Sequence, residues 1–172
     1  MRAARVGDAE AFAMIVRRHG PAMYRYAVRL LGSEHDATDA TQEAFVSAWR
    51  SLGSFRGHSA LRTWLFTLVS RRAADLRRTR RPTPIDDPLV SALVGPAPDN
   101  PLQSALDDEL LAALRLALAE LPWHQRAVWL LREIDGMTYQ EIGTVLGLTT
   151  GSVRGHLHRG RKMLAERMNR WR

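Results

Sequence analysis

Apolar residues recur every three or four positions along most of the chain, and alternation with period two is scarce, so the pattern predicts helices rather than sheet. Asp8 can cap a helix through "AEAFAMIVRRHG", ending at Gly20. Pro21 suits the first position of a second helix, "PAMYRYAVRLLG", ending at Gly32. A third helix covers 34–50. After the loop "SLGSFRGHS", a fourth runs from Leu61 to Arg80. Leu61, Trp64, Leu65, Leu68 and Leu76 share one stripe of it, the sign of a buried face. Arg72 falls inside that stripe, so it must snorkel or the helix must rotate.

The pattern then breaks. "RPTPIDDPLVSALVGPAPDNP" holds Pro82, Pro84, Pro88, Pro96, Pro98 and Pro101, too many for a helix or a central strand. Helical spacing resumes from Ser104 to Glu120, with Asp107, Asp108 and Glu109 in the first turns, where the helix dipole favours them. "LPWHQRAVWLLREIDG" is the next helix, with Pro122 near its start and Gly136 after its end. The expected fold is all-α: two small helical domains, 1–81 and 104–172, joined by a flexible, acidic, proline-rich linker over 82–103.

The last fifty residues carry a sharper signature. Thr138-Tyr-Gln-Glu141 is a capping box in front of the apolar run Ile142, Val145 and Leu146. Gly147 fits the left-handed stop of that helix, and Thr149 can cap the next one. Two short helices around a tight glycine turn make a helix-turn-helix, whose second helix enters the major groove of DNA. On that second helix Val153, Leu157, Gly160 and Leu164 share a packing face. Arg154, Gly155, His158, Arg159 and Lys162 lie on the other side. Glycine in a helix interior costs about 0.5–1 kcal/mol relative to alanine, so Gly155 and Gly160 both require a reason. Gly160 is expected to permit close packing, and Gly155 to lie on the groove-facing surface.

Charge strengthens the nucleic-acid reading. The net charge of the 172 residues is +7, and it is unevenly spread. Residues 1–81 carry +8, residues 82–120 carry −6 and residues 121–172 carry +5. Two basic blocks flanking an acidic one suit a polyanionic partner. Cysteine is absent, which excludes disulfides, thiolate metal sites and a cysteine nucleophile. No apolar run approaches a membrane span, and "MRAARVGDAEAF" lacks the apolar core of a signal peptide. A cytoplasmic chain without membrane association is expected.

"DATDATQEAFVSAW", residues 36–49, is the other unusual stretch. Asp36, Asp39, Gln42 and Glu43 follow helical spacing, opposite a small-residue side of Ala37, Ala40, Ala44 and Ala48. Paired carboxylates can serve acid–base chemistry or metal binding, but no convergent histidine or glycine-rich phosphate loop accompanies them. A solvated acidic face or a docking face is the reading. His156 and His158 sit two apart on a helix and do not face each other, so neither a metal site nor a cofactor is expected.

The pattern D-A-x-D-x-x-Q-E-x-F, followed by a tryptophan, resembles the core-binding segment of bacterial extracytoplasmic-function sigma factors. Residues 55–78 resemble the adjoining segment that opens and reads the −10 promoter element. Residues 121–164 resemble the −35-binding domain. The resemblance implies a promoter-specificity subunit, not an enzyme, that binds the RNA polymerase core through its β′ clamp helices and β flap, and takes no small-molecule substrate. It implies that Asp36, Asp39, Gln42, Glu43, Phe45 and Trp49 form or support the polymerase-docking face. It implies that Phe55, Arg56, His58 and Ser59 receive an extruded base. Arg62, Trp64, Arg71, Arg72, Arg77 and Arg78 would line the melted −10 strand. Thr149, Ser152, Arg154, His158, Arg159 and Lys162 would address the −35 duplex, with Arg154 and His158 on base edges. An anti-sigma factor that covers these surfaces is implied as a further partner. So is a path for Asp86, Asp87 and Asp99 of the linker near the polymerase active-site cleft. Family members commonly have asparagine where Arg71 stands, and serine, arginine and alanine where this chain has Gly155, His156 and Gly160. Two other readings compete: a stand-alone helix-turn-helix regulator, and a nucleic-acid-processing enzyme using Asp36, Asp39, His156 and His158.

Overall fold

A computed structural model describes residues 8–79 and 101–169. The linker residues 82–100, with Asp86, Asp87 and Asp99, lie outside the described residues. Among the described residues three α-helices build the N-terminal domain: α1 (Ala9–Leu31), α2 (Glu34–Ser51) and α3 (Leu61–Thr79). Four make the C-terminal domain: α4 (Pro101–Glu120), α5 (Trp123–Trp129), α6 (Tyr139–Leu146) and α7 (Thr150–Arg167). Among the described residues no helix is long and apolar enough to cross a membrane.

The first two expected helices are one. Asp8 caps α1, accepting from the Glu10 and Ala11 amides at 2.9 and 3.1 Å, but the helix passes through Gly20 and Pro21 and stops only at Gly32, whose φ is 71°. An interior proline costs about 3 kcal/mol. Ile15 before it, and Met23, Tyr26, Val28 and Leu30 after it, are all buried. Each such side chain contributes about 1.5–3 kcal/mol, so continuous packing outweighs the local penalty. The proline reads as a boundary only while tertiary burial is unknown.

Helix α2 meets its neighbours through alanine. Ala37, Ala40, Ala44 and Ala48 are at most 1% exposed, and the small stripe lets α1 and α3 approach closely, as interaxial distance follows side-chain size. The buried stripe of α3 is rotated from the expected one. Leu65 is fully buried, but its companions are Phe66, Val69 and Ala73; Leu61, Trp64, Leu68 and Leu76 are only partly covered. The rotation moves Arg72 to the half-buried flank. Tyr26 closes the centre of this core: its hydroxyl shares a hydrogen bond of 3.0 Å with Ser70 Oγ, and burial pushes its pKa well above the ordinary value.

In the C-terminal domain α4 starts at Pro101, earlier than the expected Ser104. Asp107, Asp108 and Glu109 therefore fall beyond its first turn, where the helix dipole has faded. Helix α5 continues into a π-helical segment, Leu130–Ile134. The Asp135 amide donates to the Leu130 carbonyl at 3.1 Å, and Gly136, φ 66°, reverses the chain. This wider turn was not foreseen; such turns often mark functional sites. It sets Asp135 on the side facing the N-terminal domain.

The helix-turn-helix forms as expected. Thr138 Oγ1 accepts from the Glu141 amide at 3.2 Å, while Glu141 Oε2 accepts from the Thr138 amide at 2.8 Å. Gly147 takes φ 67° at the end of α6, and Thr149 Oγ1 caps α7 through the Ser152 amide at 3.1 Å. Ile142, Val145, Val153, Leu157 and Leu164 pack α6 and α7 into one core with Val128 of α5 and Leu131 of the π segment.

Candidate nucleic-acid interface

Helix α7 turns one face inward and leaves the other in solvent. Val153, Leu157, Gly160 and Leu164 are buried, whereas Thr149, Ser152, Arg154, His158, Arg159 and Lys162 are all exposed. The exposed cations are lightly held. The Arg154 guanidinium lies 5.6 Å from the centre of the Tyr139 ring, on which Arg132 also stacks at 5.0 Å. Lys162 reaches Glu166 only at 4.0 Å. Arg159 approaches His156 Nδ1 at 3.4 Å. Arg161 differs: it is bound to Glu133 at 2.6 Å and braces α7 against the π segment.

Tyr139 was not singled out in the sequence. It sits at the first position of α6, and its ring supports Arg154 from below, a cation–π contact that pre-orients the guanidinium. His156 also has a place no spacing argument revealed. Its ring lies 5.4 Å from that of His124 on α5, tilted by 31°. Burial, then Arg159 and His124, lower its pKa below the ordinary value and so favour its neutral form.

The loop before α3 forms a cavity of about 290 Å³. Its lining includes Ser51, Ser54, Phe55, Arg56, His58, Ser59 and Trp64. Phe55 and Trp64 stack with ring centres 4.8 Å apart, giving the cavity an aromatic wall. Gly57, at φ 75°, makes the bend that brings Arg56 and His58 to the rim. Four expected residues of the −10 set therefore converge with Trp64 on one recess, and the two serines extend the set.

Along α3 the arginines divide. Arg71 and Arg78 are exposed, and Arg72 is half-buried. Arg78 pairs with Asp75 one turn back. Arg62 and Arg77 instead meet the C-terminal domain. Arg62 donates to the Asp135 carbonyl at 2.9 Å and to its carboxylate at 3.0 Å, while its plane lies over Phe66 at 5.0 Å. Arg77 stacks on Trp123 at 4.8 Å. Burial pushes the Asp135 carboxyl above the usual range, against the opposing pull of Arg62, Arg29 and Arg25.

On α2, Gln42 and Glu43 are exposed, Trp49 is 42% exposed and Phe45 is half-buried. Asp39 faces His35 at 3.6 Å. Asp36 is only 4% exposed, so it belongs beneath this face rather than on it. Phe12 of α1 packs edge-on to Phe45 and Trp49, with centres 6.3 and 5.0 Å apart. Exposed Val46, one turn before Trp49 on α2, extends the apolar area. Sequence spacing did not reveal Phe12, because it lies on α1, far from Phe45 and Trp49 in sequence. Among the described residues no three histidines or carboxylates gather as a metal set.

Residues 15–83 match sigma-70 region 2 and residues 111–164 match sigma-70 region 4. The chain is 40% identical over 163 residues to the ECF RNA polymerase sigma factor SigE of Mycolicibacterium smegmatis, covering 88% of this chain and 59% of that one. It is 33% identical over 170 residues to the ECF RNA polymerase sigma-E factor of Escherichia coli K12, covering 92% of this chain and 86% of that one. The fold superposes on CnrH, solved in complex with the cytosolic domain of CnrY, with a TM-score of 0.72 and 30% identity over 96% of this chain and 92% of that one. With a region 2 helical domain, a region 4 helix-turn-helix and the Escherichia coli relative matched over 86% of its length, the chain belongs to the extracytoplasmic-function sigma factors, the subunits that direct promoter-specific transcription initiation.

Proposed function

We propose that the two domains divide promoter recognition, with α1–α3 docking the polymerase core and taking the −10 strand, and α4–α7 reading the −35 duplex. The observation that carries this reading is α7 itself: a capped helix whose Arg154, His158, Arg159 and Lys162 stand in solvent while its other face is fully packed. Arg154 and His158 address base edges, and Thr149, Ser152, Arg159 and Lys162 hold phosphates. The recess between Phe55 and Trp64 receives one unstacked base; extrusion costs a few kcal/mol, offset by stacking on the aromatic wall. Arg62, Arg71, Arg72, Arg77 and Arg78 follow the strand's phosphates. Gln42, Glu43, Phe45 and Trp49, supported by Asp36 and Asp39, dock the clamp helices, and the β flap holds the C-terminal domain. The polymerase does the chemistry, so the chain is not itself an enzyme. It works in the cytoplasm, and a regulatory chain comparable to the CnrY domain bound by CnrH holds it in check.

Reconstitution with core polymerase tests the whole. Promoter-dependent initiation is expected, and failure to bind core overturns the reading. Within it, Arg154→Ala is expected to weaken −35 binding by about 1–3 kcal/mol and relax specificity at one base pair. Lys162→Ala should weaken all duplexes alike and reduce the salt slope by about 1.

A further inference from the structure

Two histidines of the C-terminal domain have no part in the promoter reading, yet they meet. His156 lies half-buried on α7 and His124 stands exposed on α5, with ring centres 5.4 Å apart and planes tilted by 31°. Ser152, Gly155, His156 and Arg159 follow the i, i+3, i+4, i+7 spacing of one edge of α7. Ser152 and Arg159 on that edge are assigned to phosphates, so the pair borders the proposed duplex surface. Arg159 is folded along the edge. Its Nη2 lies 3.4 Å from His156 Nδ1, and its Nη1 lies 3.4 Å from the point where a Cβ on Gly155 would stand. A guanidinium only donates, so this contact needs a free lone pair on Nδ1 and belongs to the neutral ring. A second proton on the ring makes Nδ1 a donor too, and two cations then face each other, so Arg159 must swing off. The charged or titratable groups acting on His156 are Arg159 and His124. Of the acids on elements packed against α7, Glu120 is bound to Arg167 and Glu133 to Arg161, each at 2.6 Å. Among the described residues no carboxylate pairs with a charged His156, and a DNA phosphate would supply the missing anion.

We propose that His156 and His124 form a proton-operated phosphate site on the edge of α7, where duplex binding draws one proton from solvent onto the pair and releases Arg159 to the backbone. This rests on the assignment of α7 to duplex DNA. The proton belongs to the pair, because two rings this close hold one charge more readily than two. Two cations are gained together: the imidazolium and the freed guanidinium. In the free chain burial, then Arg159 and His124, hold His156 below its ordinary value of 6.5, and a phosphate beside it raises that value. A group whose pKa rises on binding takes up a proton between its free and bound values. Affinity therefore increases as pH falls through the bound value and levels off below the free one.

Fluorescence anisotropy of the full chain with a short random-sequence duplex reads the effect, because phosphates are common to all sequences. At fixed low salt, affinity is expected to rise about three- to tenfold from about pH 8 to about pH 6. The salt slope should steepen over the same range by about 1–2, close to one for each cation gained. His156→Gln should lose both changes. His156→Arg carries a permanent cation and should bind tightly at both pH values. His35→Gln removes an exposed histidine of the other domain and should keep both changes. In NMR spectra of the unaltered chain at about pH 7, added duplex should move the His156 ring signals to their protonated position. Equal affinity at the two pH values overturns the proposal. So does a pH dependence that survives in His156→Gln, which would put the proton on His158, or a His156 ring that stays neutral on the duplex. Absence of duplex binding at either pH would instead strike the assignment of α7 to DNA, and the site would fall with it.

Discussion

The two surfaces proposed to face DNA are built in opposite ways. On α7 the cations stand on a helix whose packing face is complete within its own domain, and Arg154, Arg159 and Lys162 have only weak or local partners. On α3 the cations share their surface with the other domain, and Arg62 and Arg77 are engaged by Asp135 and Trp123. One surface holds its cations in solvent, and the other has two of its cations engaged by the neighbouring domain. A helix that reads double-stranded DNA can be finished in advance. A face that takes a melted strand has no target until melting begins.

The contrast is broken most directly by unmaking the surface on α7. Gly143, inside α6, faces the turn that joins the two helices of the motif. A Cβ there would lie 2.7 Å from the Leu148 carbonyl oxygen, a backbone atom that cannot step aside. Gly143→Ala is expected to destabilise the C-terminal domain by about 1–3 kcal/mol, the usual range for overpacking, despite alanine's better helix propensity. Thermal unfolding of the full chain should show the loss, and −35 duplex binding should fall with it. A neutral or stabilising effect would mean that the turn yields.

Thr138→Ala sharpens the same comparison with a smaller effect. Loss of an N-cap costs about 1 kcal/mol, and here the cap is reciprocal. The Thr138 backbone amide, then its hydroxyl, hold the Glu141 carboxyl below its ordinary value of 4.5. A carboxyl with a lowered folded pKa stabilises the fold above its unfolded pKa, and that stabilisation is lost as pH falls through the folded value. Thr138→Ala keeps the backbone amide and loses only the hydroxyl, so the hydroxyl's share of the gap in stability should be full above about pH 5 and shrink on acidification. A gap that grows in acid would show that Glu141 is not part of the cap.

What was legible in the sequence follows from how local each cause is. The capping box, Gly147, Thr149 and the alanine stripe of α2 each declare themselves within a few residues, and each formed as read. Pro21 misled because the packing of Met23, Tyr26 and Val28 against distant helices decides whether the helix continues. The α3 stripe was misjudged by a partial rotation, because Leu, Trp and Phe alternate there and only the neighbouring helices choose among them. Asp135 was invisible for the same reason: its partner Arg62 is in the other domain, and nothing between them in sequence connects the two. The exposed basic face of α7, made by one helix, was readable. The contacts of Arg62 and Arg77 with the other domain were not.

The smallest expected effect concerns the two glycines of α7, which turn out to differ from each other and from Gly143. A Cβ on Gly160 would meet the Gln125 carbonyl oxygen at 3.5 Å and its Cβ at 3.6 Å, ordinary contacts. Gly160 is buried, yet it leaves space for alanine and not for leucine. A Cβ on Gly155 would meet only the end of the Arg159 side chain, at 3.4 Å, and a flexible guanidinium can move. Nothing in the folded chain therefore requires glycine at 155. Gly155→Ala should raise the stability of the C-terminal domain by up to about 1 kcal/mol. If −35 affinity is then unchanged, the position is merely permissive. If affinity falls while stability rises, the missing side chain is room for DNA, and the exposed surface of α7 is shaped by its duplex at Gly155.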